Sequence, residues 1–173
     1  MSSQYFDELI SWMKENRPDK HRLSRYKIEL CTRYKRKSIP TDIEILMHAH
    51  ADDLNEIRPL LQTKPVRTGS GVAVVATMTK PFACPHGSCT YCPGGPGSVF
   101  GDTPKSYTGK EPSTMRGERH EYDPYRIIFN RLEQYVVMGQ NPDKVEQIIM
   151  GGTFCALDLE YQEEFVMYSF KAY

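Results

Sequence analysis

Residues 1–62 carry apolar side chains at the three- to four-residue spacing of amphipathic helices. In the first of these segments, Leu9 and Met13 lie one helical turn apart between polar residues. Thr41 followed by Glu44 has the pattern of a capping box, which predicts the start of another helix. The sequence therefore predicts a small helical domain over residues 1–62. Its predicted helices cover residues 4–15, 20–36, 41–50 and 52–61.

The hydrophobic pattern changes after residue 63, where two short apolar runs have the β-branched character of buried strands. These predicted strands, 71–78 and 145–150, flank a helix that begins at Pro124, and a further helix is predicted over 158–168. Strands that alternate with helices predict βα units and a parallel sheet, hence an α/β fold over 63–173. Two strands cannot close a barrel, so we expect the chain to be the front section of a longer architecture.

The formal charge is zero overall but unevenly distributed, because residues 1–37 carry ten Lys and Arg against five Asp and Glu. This basic segment indicates a polyanionic partner. Tyr26 and Tyr34 lie among the basic residues, and phosphate contacts combined with aromatic stacking favour RNA. A solvated helix face is the alternative. The candidate contacts are Arg22, Arg25, Lys27, Arg33, Lys35, Arg36 and Lys37.

Neither a signal peptide nor an apolar run long enough to span a bilayer is present in the sequence. We expect a soluble cytoplasmic protein with no membrane association. Three of the five cysteines are clustered, which favours metal binding in a reducing compartment over a disulfide framework. The other two, Cys31 and Cys155, are predicted to be packing residues.

Cys84, Cys89 and Cys92 form a C-x4-C-x2-C pattern directly after the first predicted strand. Three thiolates on a cubane iron–sulfur cluster leave one iron open to a substrate, whereas a closed zinc site usually has four protein ligands. The pattern therefore favours a cluster with an open iron. The alternatives are incidental thiols or a zinc site with His86 as the fourth ligand.

Gly151, Gly152 and Thr153 end the second predicted strand, at the sheet edge where ligands of parallel α/β folds collect. Backbone groups there could pair with the amine or carboxylate of a ligand. A simple strand-to-helix turn would also explain the two glycines. Between the strands, residues 93–123 are rich in Gly, Pro, Ser and Thr, and they predict a long loop with a functional role.

Four long stretches resemble the radical S-adenosylmethionine tRNA uridine carboxymethyltransferases, the catalytic subunits of Elongator, in their archaeal form. The stretches are PVRTGSGVAVVATMTKP, CPHGSCTYCPGGPGSVF, SYTGKEPSTMRGERHEYDPY and DKVEQIIMGGTF. The resemblance implies a helical tRNA-binding domain followed by the first βα units of an incomplete radical SAM (βα) partial barrel. It also implies tRNA as substrate, and assembly as a homodimer or with Elongator-type partner subunits.

The resemblance also implies roles for individual residues. Cys84, Cys89 and Cys92 would hold a [4Fe–4S] cluster, and the Gly151–Thr153 turn would bind S-adenosylmethionine. Lys144 would bind acetyl-CoA, the co-substrate from which the family builds a carboxymethyl group on the wobble uridine. The rest of the barrel and an acetyltransferase-like domain do not follow, so we expect this chain to be inactive alone. The alternatives are a tRNA-binding module with a non-functional radical SAM remnant, or a zinc-binding nucleic-acid protein.

Overall fold

Four helices form the N-terminal part of the chain, as the hydrophobic spacing predicts. The computed structural model describes residues 2–62 and 68–173. The helices are α1 (Ser2–Asn16), α2 (Lys20–Arg33), α3 (Asp42–His48) and α4 (Ala51–Leu61). The predicted capping box of α3 is confirmed: the Glu44 backbone N–H donates to Thr41 Oγ1 at 3.1 Å, and the Thr41 N–H donates to Glu44 Oε2 at 2.8 Å.

Helix α2 ends three residues before its predicted end. Tyr34 caps the helix, and Lys35 adopts a φ of +51°, in the left-handed region that α-helices do not use. The basic residues at positions 35–37 therefore lie in a turn beyond the helix. The predicted helix over 20–36 is correct in kind and too long at its C-terminus.

The four helices enclose a hydrophobic core of their own. Its fully buried members come from all four helices, and Cys31 is buried among them, as its expected packing role requires. Ile28, which the helical spacing also places on an apolar face, is half exposed. The core residues are Tyr5, Phe6, Leu9, Ile10, Met13, Leu23, Leu30, Cys31, Ile45, Leu46, Ile57 and Leu61.

Glu8 on α1 is the centre of a polar network that joins α1 to α2. The Tyr34 hydroxyl donates to Glu8 Oε2 at 2.6 Å, the Tyr26 hydroxyl donates to Oε1 at 3.2 Å, and Arg33 forms an ion pair with the same carboxylate. The hydrogen bond from Tyr34, helped by the charge of Arg33, holds the pKa of Glu8 below its ordinary value. The carboxylate form is therefore the one that stabilises this pair of helices.

Replacing Glu8 by glutamine is expected to lower the free energy of unfolding at pH 7 by about 1 kcal/mol, since this change removes hydrogen bonds to a half-buried carboxylate. Because the folded-state pKa is depressed, the contribution of Glu8 is complete above its ordinary pKa of 4.5 and disappears as the pH falls through the lower folded value. Urea unfolding at neutral and acid pH measures both effects. Glu15→Gln, at an exposed site on the same helix, is the control and should change neither. Equal losses of stability at both pH values would contradict this role of Glu8.

The second part of the chain contains a parallel pair of strands, β1 (Val72–Met78) and β2 (Lys144–Met150). Val72 pairs with Lys144 and Met78 with Met150, so both strands end at the same edge. The predicted strands, their parallel pairing and the α/β class are confirmed. Within the described residues the sheet has these two strands.

Three helices accompany the sheet: α5 (Pro112–Arg119), α6 (Pro124–Val137) and α7 (Leu159–Ala172), with a short 3-10 turn at Phe154–Ala156. Helix α5 lies inside residues 93–123, so the prediction of a long loop there is wrong over these eight residues. Gly117 brings this helix close to β1, because a Cβ at that position would lie 3.0 Å from the Met78 Cβ. No helix within residues 2–62 and 68–173 is both long and apolar enough to cross a membrane.

The chain divides into two compact units. The first comprises Met1–Gly71 together with Gln134–Pro142, and the second comprises Val72–Glu133 and Asp143–Tyr173. The grouping of residues 134–142 with the helical part does not follow from the hydrophobic pattern of the sequence. The predicted domain boundary, between residues 62 and 63, lies at the start of the segment 63–67, which is outside the described residues.

Candidate cofactor site and basic helix surface

A cavity of about 500 Å³ lies at the carboxyl edge of the parallel sheet, within the second unit. The three clustered cysteines and the Gly151–Thr153 turn line the same cavity, as the sequence predicts for residues that follow parallel strands. The other residues that line it are His86, Gly87, Tyr91, Lys105, Ser106, Tyr107, Ile148, Ile149 and Met150.

The strand register brings the two loops together. Met78 and Met150 are paired at the ends of their strands, and the Thr79 N–H donates to the Met150 carbonyl at 2.9 Å, one step further. The Thr79 hydroxyl then donates to the Gly151 carbonyl at 3.4 Å. The chain thus leaves β1 toward the cysteine loop while it remains bonded to the turn that follows β2.

Replacing Gly151 by any larger residue would require this turn to rearrange. Its φ is +125°, and a Cβ at this position would lie 2.0 Å from Thr79 Oγ1. L-residues rarely adopt that backbone conformation, and a buried hydroxyl cannot move by the required distance at low cost. The glycine is therefore required by the close approach of the two strand ends.

Two tight turns shape the cysteine loop. The Gly87 N–H donates to the Cys84 carbonyl and the Cys92 N–H donates to the Cys89 carbonyl, each at 3.0 Å. Cys92 Sγ accepts a hydrogen bond from the Ser106 N–H at 3.2 Å. An N–H donor of this kind stabilises a thiolate.

The three cysteine side chains are half-buried and face one cavity, but they do not converge on a single point. Within residues 2–62 and 68–173, no group of three His, Cys, Asp or Glu side chains is placed to share one metal ion. His86, the rival ligand, lies with Nε2 3.4 Å from Cys89 Sγ. Tyr91 is 84% exposed, and its interaction with Cys89 raises the pKa of the phenol.

The long loop between the cysteines and α5 is ordered by its own polar side chains. Thr103 Oγ1 accepts from the Gly95 N–H at 3.3 Å and donates to the Tyr107 carbonyl at 3.0 Å. Glu111 accepts from the backbone N–H of Thr108 at 2.9 Å. Lys105 in this loop is buried at the cavity, and the sequence did not predict a role for it.

Lys144 lies away from the cavity. It is the first residue of β2, whereas the Gly151–Thr153 turn follows the last residue. At the usual rise per residue of a strand, the two ends are about 20 Å apart. The structure thus brings the cysteines and the glycine turn together and leaves Lys144 exposed at the opposite edge of the sheet.

The basic residues of α2 and the following turn divide into exposed and paired groups. Lys27 is 8% exposed, and its amino group is 3.1 Å from Asp42, so its placement disagrees with a tRNA contact. Arg33 forms ion pairs with Glu8 and Glu29, and the Arg36 guanidinium lies 4.9 Å from the centre of the Tyr5 ring. The remaining four are exposed and form no ion pair within the described part of the chain: Arg22, Arg25, Lys35 and Lys37.

The aromatic residues of α2 are engaged in contacts inside the helical unit. Tyr26 stacks on Trp12 with 4.0 Å between ring centres and 17° between ring planes. Tyr34 meets Tyr5 edge to face at 5.9 Å. Arg22 and Arg25 lie with the stacked pair around a shallow depression of about 200 Å³. Base stacking on these two tyrosines would therefore compete with contacts already made.

Several known proteins are similar to this chain over most of its length. Residues 3–69 match the family described as the ELP3 N-terminal domain. The tRNA uridine(34) acetyltransferase of Methanocaldococcus jannaschii is 53% identical over 150 residues, which cover 86% of this chain and 28% of the relative. Elongator complex protein 3 of Saccharomyces cerevisiae is 46% identical over 140 residues, and its Homo sapiens counterpart is 43% identical over 149 residues.

Residues 3–69 belong to the ELP3 N-terminal domain family. The yeast and human matches cover 78% and 83% of this chain, and 25% and 27% of the relatives. The chain thus spans roughly a quarter to three tenths of the length of the relatives that it matches.

Proposed function

We propose that this chain forms the tRNA-binding and cluster-binding part of a tRNA wobble-uridine carboxymethyltransferase that uses S-adenosylmethionine and acetyl-CoA. The observation that carries the proposal is the shared cavity, where three cysteines and a glycine turn meet at the carboxyl edge of parallel strands. In this proposal β1, β2 and their helices are the first βα units of a radical SAM partial barrel. The names of the relatives, which specify uridine 34 of tRNA or Elongator, support this assignment.

The cysteine side chains fit a [4Fe–4S] cluster better than a single ion. In a cubane each thiolate binds a different iron, so the three sulfurs surround a volume instead of meeting at one point. Cys84, Cys89 and Cys92 line one cavity, and three thiolates on a cubane leave its fourth iron open to a ligand. Zinc would require these sulfurs and His86 to approach one centre tetrahedrally.

The protein residues bind, orient and shield, and the cofactors carry the radical chemistry. The bound cluster would supply the electron that cleaves S-adenosylmethionine reductively. The Ser106 N–H donates to Cys92 and would stabilise its thiolate form. The Gly151–Thr153 turn presents backbone groups to the methionyl end of the ligand, while Ile148, Ile149 and Met150 supply an apolar wall.

We propose that tRNA docks on the exposed basic residues of α2 and the turn after it. Arg22, Arg25, Lys35 and Lys37 are free to contact phosphates, whereas Lys27 and Arg33 are held in ion pairs. Phosphate contacts of this kind position a nucleic acid without reading its sequence. We keep Arg36 as a weaker candidate, because its guanidinium is placed over two aromatic rings.

Lys144 keeps its proposed role in acetyl-CoA binding. Its exposed position at the opposite end of β2 separates that role from the cluster cavity. Assembly as a homodimer or with Elongator-type subunits also stays a prediction. A tRNA-binding module with a non-functional remnant is the second candidate function, and it is favoured by the separate hydrophobic core of the helical unit.

Anaerobic reconstitution of the purified chain with iron and sulfide tests the proposed function. We expect about four iron and four sulfide per chain, with broad visible absorption. Addition of S-adenosylmethionine to the reduced sample should change the electron paramagnetic resonance spectrum, because the ligand binds the open iron. Stoichiometric zinc together with failure to take up iron would contradict the proposal and favour the zinc alternative. A cluster whose spectrum does not change on addition of S-adenosylmethionine would favour the tRNA-binding module with a non-functional remnant.

A further inference from the structure

One cation is buried at the cluster cavity. Lys105 is 7% exposed, and its Nζ donates to Ser88 Oγ at 2.8 Å. In residues 2–62 and 68–173 no carboxylate forms an ion pair with it, and positions 1 and 63–67 contain no acidic residue. A buried ammonium without an anionic partner is costly, so a lysine at this position calls for an anion from outside the chain.

The surrounding backbone is arranged to admit this lysine. A Cβ on Gly95 would lie 2.5 Å from Lys105 Cε, and a Cβ on Gly152 would lie 3.0 Å from Lys105 Cβ. The lysine side chain therefore passes between the loop that follows Cys92 and the turn that follows β2. A side chain at either glycine would block this path, so the backbone specifically accommodates the buried ammonium.

Lys105 reaches from the glycine turn toward the cysteine loop. Its stem packs against Gly152, and its ammonium lies beside Ser88 and Gly95, because a Cβ on Gly95 would lie 2.7 Å from Lys105 Nζ. Lys105 lines the same cavity as the cysteines and the Gly151–Thr153 turn, so a ligand that fills this cavity can place an anionic group beside it. S-adenosylmethionine carries one carboxylate, on its methionyl end.

We propose that Lys105 binds the carboxylate of S-adenosylmethionine, an inference that rests on the proposed function. The contact is a charge-assisted hydrogen bond, and Ser88 holds the ammonium in place through its hydroxyl. Lys105 is a binding residue that fixes the orientation of the methionyl group. No proton or electron is transferred at this residue.

The metal-free chain gives the first test. Lys105→Met roughly keeps the length of the side chain and removes the positive charge that lacks an anionic partner. We expect the melting temperature to rise by roughly 2–4 °C, as for relief of a small destabilisation in a domain of this size. Lys110→Met, at an exposed site in the same segment, is the control and should leave the melting temperature unchanged. A lower melting temperature for Lys105→Met would show that the lysine is a structural clamp, and would overturn the inference.

The reconstituted chain gives the second test, through equilibrium binding of S-adenosylmethionine and of its decarboxylated analogue. Lys105→Met should weaken S-adenosylmethionine binding roughly 10- to 100-fold and leave binding of the analogue unaffected, because only the former offers a carboxylate. Iron content should equal that of the unsubstituted chain. Loss of iron in the variant would indicate that the Lys105 charge stabilises the cluster, and would overturn the inference. Equal weakening of the binding of both ligands would also overturn it.

The two failures can be told apart. An unsubstituted chain that takes up no iron contradicts the proposed function, and the lysine inference fails with it. A chain that loads iron and binds S-adenosylmethionine with no dependence on Lys105 contradicts the inference alone. Lys110→Met should match the unsubstituted chain in both binding measurements.

Discussion

Replacing Cys89 by serine is expected to reduce the reconstituted iron content from about four per chain to nearly none. Cys89 lies between the other two proposed ligands in the loop, and its side chain faces the cavity that they line. A serine hydroxyl is a harder and less acidic ligand than a thiol, so two thiolates would have to hold the cluster alone. Iron and sulfide analysis, with visible absorption, measures the loss.

The remaining cysteines supply matched controls for this experiment. The sequence favours a packing role for Cys155, but the residue is exposed and outside the cavity; Cys155→Ser should leave the iron content unchanged. Unchanged iron in Cys89→Ser would remove this residue from the ligand set. His86→Ala separates iron from zinc: a cluster held by three thiolates should survive, whereas a zinc site with His86 as fourth ligand should not.

Reversing the charge of Arg22, Arg25, Lys35 and Lys37 to glutamate is expected to weaken tRNA binding roughly a hundredfold or more. These four exposed residues are the proposed phosphate contacts, and each contact releases counterions from the nucleic acid. The plot of log affinity against log salt should therefore become shallower by about one for each phosphate-binding residue that is replaced. Fluorescence anisotropy with labelled tRNA over a range of salt concentrations measures both effects.

A second quadruple variant with the same change in net charge is the control. It carries glutamate at Lys80, Lys110, Arg119 and Lys171, which are exposed residues of the other unit. Its binding should weaken much less, because long-range repulsion is screened at physiological salt. Equal weakening of tRNA binding in the two variants would refute the assignment of the α2 surface. Lys27→Met should lower stability and keep the tRNA affinity, since its ammonium is paired with Asp42.

The parts of the site that follow from strand order could be predicted from the sequence. Parallel strands end at one edge, so a cysteine loop after β1 and a glycine turn after β2 must lie near each other. The capping box of α3 was equally predictable, because Thr41 and Glu44 are three residues apart and satisfy each other locally. The first prediction depends on strand order and the second on a local pattern of residues.

The features that the sequence did not reveal depend on contacts between distant residues. Lys27 and Arg33 have the same basic character as their neighbours, but only the fold brings Asp42 and Glu8 to them. The burial of Lys105 requires the path left open by two glycines. Helix α5 was missed for a different reason: apart from Pro112, Met115 is the only large apolar side chain among its eight residues, although Pro112 at its start resembles Pro124 at the start of α6.

The crowding between Gly151 and Thr79 has a consequence for enzyme redesign. Because this rim of the cavity consists of tightly packed atoms around the main chain, amino-acid exchange there has almost no freedom to alter the shape offered to a ligand. Among the residues that line the cavity, Tyr91, Tyr107 and Ile149 are neither proposed ligands nor part of this rim. Libraries intended to accept modified sulfonium compounds should therefore diversify these positions and leave the cysteines, Lys105 and the glycine rim intact.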